Sequence, residues 1–188
     1  MGETKAVYFD KPGPDNTRTT LELGRERADA LGIEDIVVAS YTGRTGVLAS
    51  EVFKGLNVVV VGGVYGFEEV NTVAMLPENR SRIEHNGAKI LHTGHAFGMM
   101  GRAVKNKFGA IQVDEIVANV LRLLSQGVKV GCEITCMAAD AGLIKAGAEV
   151  IAIAGSARGA DSAIVIRASN THNFFESRML EIICKPRG

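Results

Sequence analysis

The densest run of side chains able to do chemistry is Ser40-Tyr41-Thr42-Gly43-Arg44-Thr45-Gly46. It follows at once on the β-branched run at 36–39 and leads into Val47, Leu48, Val52 and Phe53, which keep helical spacing. A strand that turns directly into a helix leaves the first helical N–H groups unpaired and aimed beyond the sheet edge, a setting for phosphate or carboxylate. Hydroxyls at Ser40, Thr42 and Thr45 add donors there, and Arg44 adds a cation. The plainer alternative is a capped turn, in which Thr42 or Ser40 caps the helix and Gly43 and Gly46 fit the bend. GRTG lacks the GK[ST] ending of a Walker loop.

A second anion-site candidate is Gly155-Ser156-Ala157-Arg158-Gly159, where glycines permit close backbone approach and Ser156 and Arg158 can donate. A hairpin turn explains the same glycines. Asp161 can accept from a ribityl, ribose or amide group, or from its own turn. Glu133 lies beside Ile134 and Met137, an apolar setting suited to general acid–base work, although a glutamate in a helix first turn also complements the backbone dipoles. Tyr65, Phe67 and Phe97 can sandwich a flat ring or simply fill a core. His92 and His95 are three apart and Cys132 and Cys136 four apart; CxxC, HExxH and GxGxxG are all absent, so neither a metal site nor a standard dinucleotide fingerprint is expected.

These groups need elements to place them. A short edge strand is expected over 5–9, and a helix from Asn16 or Thr17 to Gly32 carrying Leu21, Gly24, Ala28 and Leu31 on one face. Strands follow at 36–39, 56–61 and 88–93, each ending in a loop of Gly, Ser, Thr and aromatic residues. In an open parallel sheet such loops meet on the C-terminal side, where ligands bind. Residues 68–75 are expected to be helical, and Pro77 starts another helix. The stretch 99–109 reads as a basic surface strip. The clearest helix is 112–125, with Val113, Ile116, Val117, Val120, Leu121 and Leu124 at helical spacing. Residues 128–131 read as a short strand or linker, 133–144 as a small-residue helix, 149–154 as a core strand and 162–168 as a returning hairpin strand. The last strand, 179–185, is expected to be antiparallel or at an edge.

At 188 residues the chain suits one domain, 1–188, with an aliphatic core, since Trp is absent and aromatics are only 5%. Lys+Arg and Asp+Glu number 21 each, so no net charge calls for nucleic acid or an anionic membrane as partner. MGETKAVYFDKPG lacks the apolar region of a signal peptide, no run approaches a membrane span, and three cysteines do not make a disulfide framework; a cytoplasmic location is expected. A homo-oligomer is compatible with this composition and not specified by it.

Read together, ASYTGRTG, the helix NTRTTLELGRERADALG, the strand DIVVAS, VGGVYGF and GVKVGCEITCMAADAGLIKAGAEVIAIAGSARGADSAIVIRASNTHNFF resemble the C-terminal α/β domain of pyruvate kinase. They are closer still to free-standing archaeal and bacterial members of that superfamily. The resemblance implies a three-layer α/β/α fold with a mostly parallel central sheet and late antiparallel strands. It implies a regulatory rather than a kinase role, because the catalytic barrel has no counterpart here. The phosphate of an effector maps onto Ser40, Thr42, Gly43, Arg44, Thr45 and Gly46. Free-standing relatives resemble binders of flavin mononucleotide (FMN), which implies that the ring end reaches Gly63, Tyr65, Gly66, His95, Glu133, Ser156, Arg158, Gly159 and Asp161. The expected ligand is therefore a phosphate-bearing small molecule, FMN first. The alternatives are a sugar-phosphate-sensing module without catalysis, or a hydrolase or isomerase using Glu133 or His95.

Overall fold

The computed structural model describes residues 4–188; residues 1–3, the start of the segment MGETKAVYFDKPG considered above, lie outside them. One seven-stranded sheet runs in the order β1-β7-β6-β5-β2-β3-β4. Its strands are β1 (Val7–Phe9), β2 (Asp35–Ala39), β3 (Asn57–Val61), β4 (Lys89–Leu91), β5 (Glu149–Ala154), β6 (Ser162–Arg167) and β7 (Arg178–Pro186). The pairs β5/β2, β2/β3, β3/β4 and β1/β7 are parallel, and only β6 runs against its neighbours. The fold is thus an α/β sheet of mostly parallel strands.

Six helices connect the strands: α1 (Thr17–Leu31), α2 (Arg44–Val52), α3 (Pro77–His85), α4 (Met99–Phe108), α5 (Val113–Arg122) and α6 (Gln126–Asp140). The central strands are buried on both faces, which is why they read as unbroken aliphatic runs rather than alternating ones. Ile36, Val38, Val58, Val60, Ile151 and Ile153 pack in the cluster that holds Leu21 and Ala28 of α1 and Val47 of α2. Val37, Val59, Val61, Val150 and Ala152 point the other way, into the cluster with Val128, Cys132, Cys136 and Met137 of α6. Each fully buried Val or Ile contributes about 1.5–3 kcal/mol by leaving water, so these three strands are the stable centre from which the loops project. On the α1 side, Arg27 donates two hydrogen bonds to Glu181 of β7, at 2.7 and 2.6 Å.

Two expectations are corrected. Residues 68–75 are irregular turns: Glu68, Glu69, Val70 and Asn71 are exposed and have no apolar face to bury, Gly66 N–H donates to Thr72 O, and Asn71 takes a positive φ of 64°. Residues 128–131 are neither strand nor linker but part of α6, which starts at Gln126 behind a Ser125 cap that accepts the Val128 N–H at 3.0 Å. A helix buried along most of its length shows no polar face, and so no helical period, in the sequence. The basic strip 99–109 forms α4 and lies mostly exposed, consistent with a surface strip. The last strand, β7, takes the antiparallel one of its two expected placements, against β6, with β1 paired outside it.

Candidate functional site

The chain steps from β2 through β3 to β4 on one side of β2, then returns to place β5 on the other. Strand order therefore reverses between β2 and β5, and the crevice beyond their C-terminal ends is where open α/β sheets bind ligands. Register puts Val38 opposite Ile153, so the loops beginning at Ser40 and Gly155 leave the sheet side by side.

The Ser40 loop is held in shape from inside. Ser40 is buried and its Oγ accepts the Gly46 N–H at 2.9 Å. Thr42 O accepts from Leu76 N–H at 3.2 Å and from Asn79 Nδ2 at 2.9 Å, tying the turn to the start of α3. Gly43 caps α2 at φ 91°, and a Cβ there would sit 2.6 Å from Asn79 Cβ, so conformation and close approach both require glycine. With the turn fixed this way, no described residue accepts from the N–H groups of residues 42–45. Thr45 is only 6% exposed, and its hydroxyl has no partner among the described residues. Arg44 is exposed beside it. The arrangement is a tied turn at a helix start whose N–H groups at 42–45 have no acceptor among the described residues, an electropositive setting.

The β3 loop closes against it. Tyr41 lies on Gly63 so tightly that a Cβ there would come 2.5 Å from the ring. Burial, and then the neighbouring Glu68 carboxylate, hold the Tyr41 hydroxyl above its ordinary pKa. Beyond Tyr41 opens a cleft of about 430 Å³ lined by Val64, Phe67, Glu68, Glu69, Thr72 and Val73, within the range of about 300–1,000 Å³ typical of small-molecule sites. Gly66 makes the turn under this cleft at φ 77°.

Past the β3 loop, Tyr65 stands edge-on to His92 at 5.5 Å, Phe67 meets His95 at 5.4 Å, and the Arg102 guanidinium lies 5.1 Å from the Phe67 ring. His92 Nδ1 is 2.8 Å from Gly63 O, which makes Nδ1 the donor; Nε2 is enclosed without a partner among the described residues. Burial lowers the His95 pKa, with Glu133 opposing and Lys129 and Arg102 reinforcing the shift. Glu133 itself is not free: Oε2 takes the Lys129 ammonium at 2.5 Å and Oε1 takes the Phe97 N–H at 2.9 Å. Lys129 escaped the sequence reading, although its i,i+4 spacing to Glu133 on an apolar helix was the available signal.

The β5–β6 loop is built differently. Asp161 is fully buried and accepts from Gly13 N–H, Ser156 N–H, Ser156 Oγ and Ser162 Oγ at 2.8–3.2 Å. Its lone pairs are thus spent on the loop's own closure. A Cβ on Gly159 would meet Thr17 Oγ1 and Pro14, so this loop packs down on the entry to α1. Arg158 remains exposed. The structure therefore gathers Ser40, Thr42, Gly43, Arg44, Thr45 and Gly46 into one turn with Gly63 against it. Tyr65 and His95 stand in the neighbouring aromatic cluster, Glu133 beneath it, and Ser156, Gly159 and Asp161 in a self-satisfied hairpin.

The sequence profile of the pyruvate kinase alpha/beta domain matches residues 18–166. The chain belongs to that family. Three solved structures of pyruvate kinase from Cryptosporidium parvum, one of them a complex with ADP, align with it at 14%, 15% and 17% identity. They cover 81%, 85% and 86% of this chain with TM-scores of 0.42, 0.41 and 0.42. The chain spans about a quarter of those enzymes, 23–25% of their length. Among the described residues no helix is long and apolar enough to cross a membrane, and no group of three or more His, Cys, Asp or Glu is arranged to hold a metal ion.

Proposed function

We propose that this pyruvate kinase alpha/beta domain protein binds a phosphate-bearing small molecule, with its phosphate on the turn from Thr42 to Gly46. The observation that carries the reading is the set of N–H groups of residues 42–45, which have no acceptor among the described residues, beside Thr45, a residue 6% exposed whose hydroxyl bonds no described residue. A dianion there would take several fixed donors and the positive end of α2 at once. The adjoining cleft, with Tyr41 and Phe67 as apolar surfaces and Glu68 and Glu69 as acceptors, suits a ligand body that is flat and bears hydroxyl or imide donors.

FMN fits that description, and the resemblance to free-standing flavin-binding members favours it. When bound, the flavin would supply the redox chemistry, and this chain would anchor the phosphate and shape the ring's surroundings. The phosphate turn alone also suits a sugar phosphate, which would make the domain a sensor. Glu133 as a catalytic base is not favoured, since both its oxygens already hold donors.

The test begins with the absorption spectrum of freshly purified protein, followed by fluorescence titration with FMN, a sugar phosphate and inorganic phosphate. Saturable FMN binding weakened at least ~10-fold by Thr45→Ala and Arg44→Ala, together or singly, supports the reading. Sugar-phosphate binding alone with the same sensitivity points to the sensor. If neither substitution moves any affinity, the phosphate site is elsewhere.

A further inference from the structure

The sequence sets two acidic residues, Glu68 and Glu69, just after the loop that ends β3, and the structure brings them to the cleft beside the turn at 42–46. Tyr41, which enters that turn, lines the cleft, and so does Ala74, two residues before the Leu76 N–H that holds Thr42 O. A ligand anchored at the turn therefore extends across Tyr41 into the cleft. None of the lining residues is basic. Glu68 and Glu69 are exposed, and neither enters an ion pair among the described residues. Their loop is fixed from within. Gly66 N–H donates to Thr72 O at 2.9 Å, and Thr72 gives Glu69 O both its N–H at 3.1 Å and its hydroxyl at 2.8 Å. Thr72 thus has only lone pairs left for a ligand, and the Tyr41 hydroxyl stands beside the Glu68 carboxylate. Arg102 lies 5.1 Å from the Phe67 ring but does not line the cleft. The β5–β6 loop has only the exposed Arg158 left to offer a second anion, because Ser156 commits its N–H and its hydroxyl to Asp161 at 3.2 and 2.8 Å.

We infer, resting on the phosphate reading of the turn, that the ligand is a phosphate monoester with no second anionic group at its far end, and that Glu68 and Glu69 are the residues that turn bisphosphates away. Two fixed negative charges at the wall of a cleft repel a third more strongly than in open water, since the cleft excludes part of the solvent that screens them. A phosphate entering it also sheds hydration and finds no side-chain donor but the Tyr41 hydroxyl in its place. Hydroxyl, imide or ammonium groups at the same point find acceptors in Glu68, Glu69 and Thr72. Discrimination thus comes from repulsion of the wrong ligand, while affinity for the right one stays with the turn.

The experiment is calorimetric titration of the full chain with glucose 6-phosphate, glucose 1,6-bisphosphate and inorganic phosphate at low ionic strength. The monophosphate is expected to bind at least ~10-fold more tightly than the bisphosphate, and about 0.5 M salt should narrow the gap. Glu68→Gln with Glu69→Gln should bring the two within ~3-fold, whereas Glu68→Asp with Glu69→Asp, which keep the charge, should preserve the discrimination. Both positions are exposed, so the far-ultraviolet circular dichroism spectrum should not change. A bisphosphate that binds as tightly as the monophosphate, or a gap that survives the loss of both charges, overturns the inference and leaves the phosphate reading standing. A tighter bisphosphate that Arg158→Ala returns to the level of the monophosphate would seat the second phosphate on the β5–β6 loop and likewise overturn it. If none of the three compounds binds, nor FMN, the phosphate reading itself fails and the inference falls with it.

Discussion

Lys129 Nζ and Glu133 Oε2 meet 2.5 Å apart one turn along α6, with both side chains more than nine-tenths buried. The carboxylate's other oxygen holds the Phe97 N–H, so the pair fastens the β4–α4 loop to the helix beneath it. The ammonium lies 5.8 Å from the Phe97 ring. Glu133→Leu alone should strand a buried ammonium and cost about 3–5 kcal/mol, whereas Lys129→Met with Glu133→Leu should be neutral or stabilising by about 1–4 kcal/mol. Urea unfolding of the two variants gives the comparison. Equal losses in both would show that the Phe97 hydrogen bond, not the ion pair, matters.

Ser40→Ala should destabilise the protein by about 1–3 kcal/mol, since it leaves the buried Gly46 N–H without its acceptor. Chemical denaturation measures the loss. Ser40→Thr keeps the acceptor and should recover part of it.

His95 should make stability fall as pH drops. Burial depresses its folded pKa below the unfolded value near 6.5. Its contribution is therefore fully present above about pH 6.5 and is lost as pH falls through the lowered folded value, because the unfolded chain binds the proton first. Midpoints of urea unfolding from pH 8 to 5 should drop for the wild type and flatten over that window for His95→Gln. A parallel drop in the variant would assign the effect to other groups.

The three thiols should be inert in the native protein. Burial pushes Cys132 up to about 12 and Cys136 and Cys184 to about 11, so almost no thiolate exists at neutral pH. Ellman's reagent at pH 8 should find essentially none of them before denaturation and all three in guanidinium. Rapid native labelling of Cys136 would contradict its burial.

Much of the architecture was legible in the amino-acid sequence. Runs such as Ile36-Val37-Val38 and Val58-Val59-Val60-Val61 leave no polar face, and Gly32 marks the end of α1 with a positive φ of 66°. What escaped were the places where tertiary surroundings decide. Residues 68–72 carry helix-compatible side chains but are exposed, so no packing holds them helical, and residues 128–131 look extended only because both sides of α6 are covered. The passage from β2 into α2 was readable as a strand-to-helix turn at 40–46. That Asp161 spends itself on Gly13, Ser156 and Ser162 depends on a partner 148 positions away, which local patterns do not reveal.

The pairing of β1 with β7, Val7 against Cys184, has a bearing on how the molecule is made. Among the described residues β1 has no strand neighbour but β7, so it cannot hydrogen-bond into the sheet until β7, far along the chain, has docked on β6. That edge should accordingly be the last piece to zip shut and the first to fray, with its amide protons exchanging fastest of any strand.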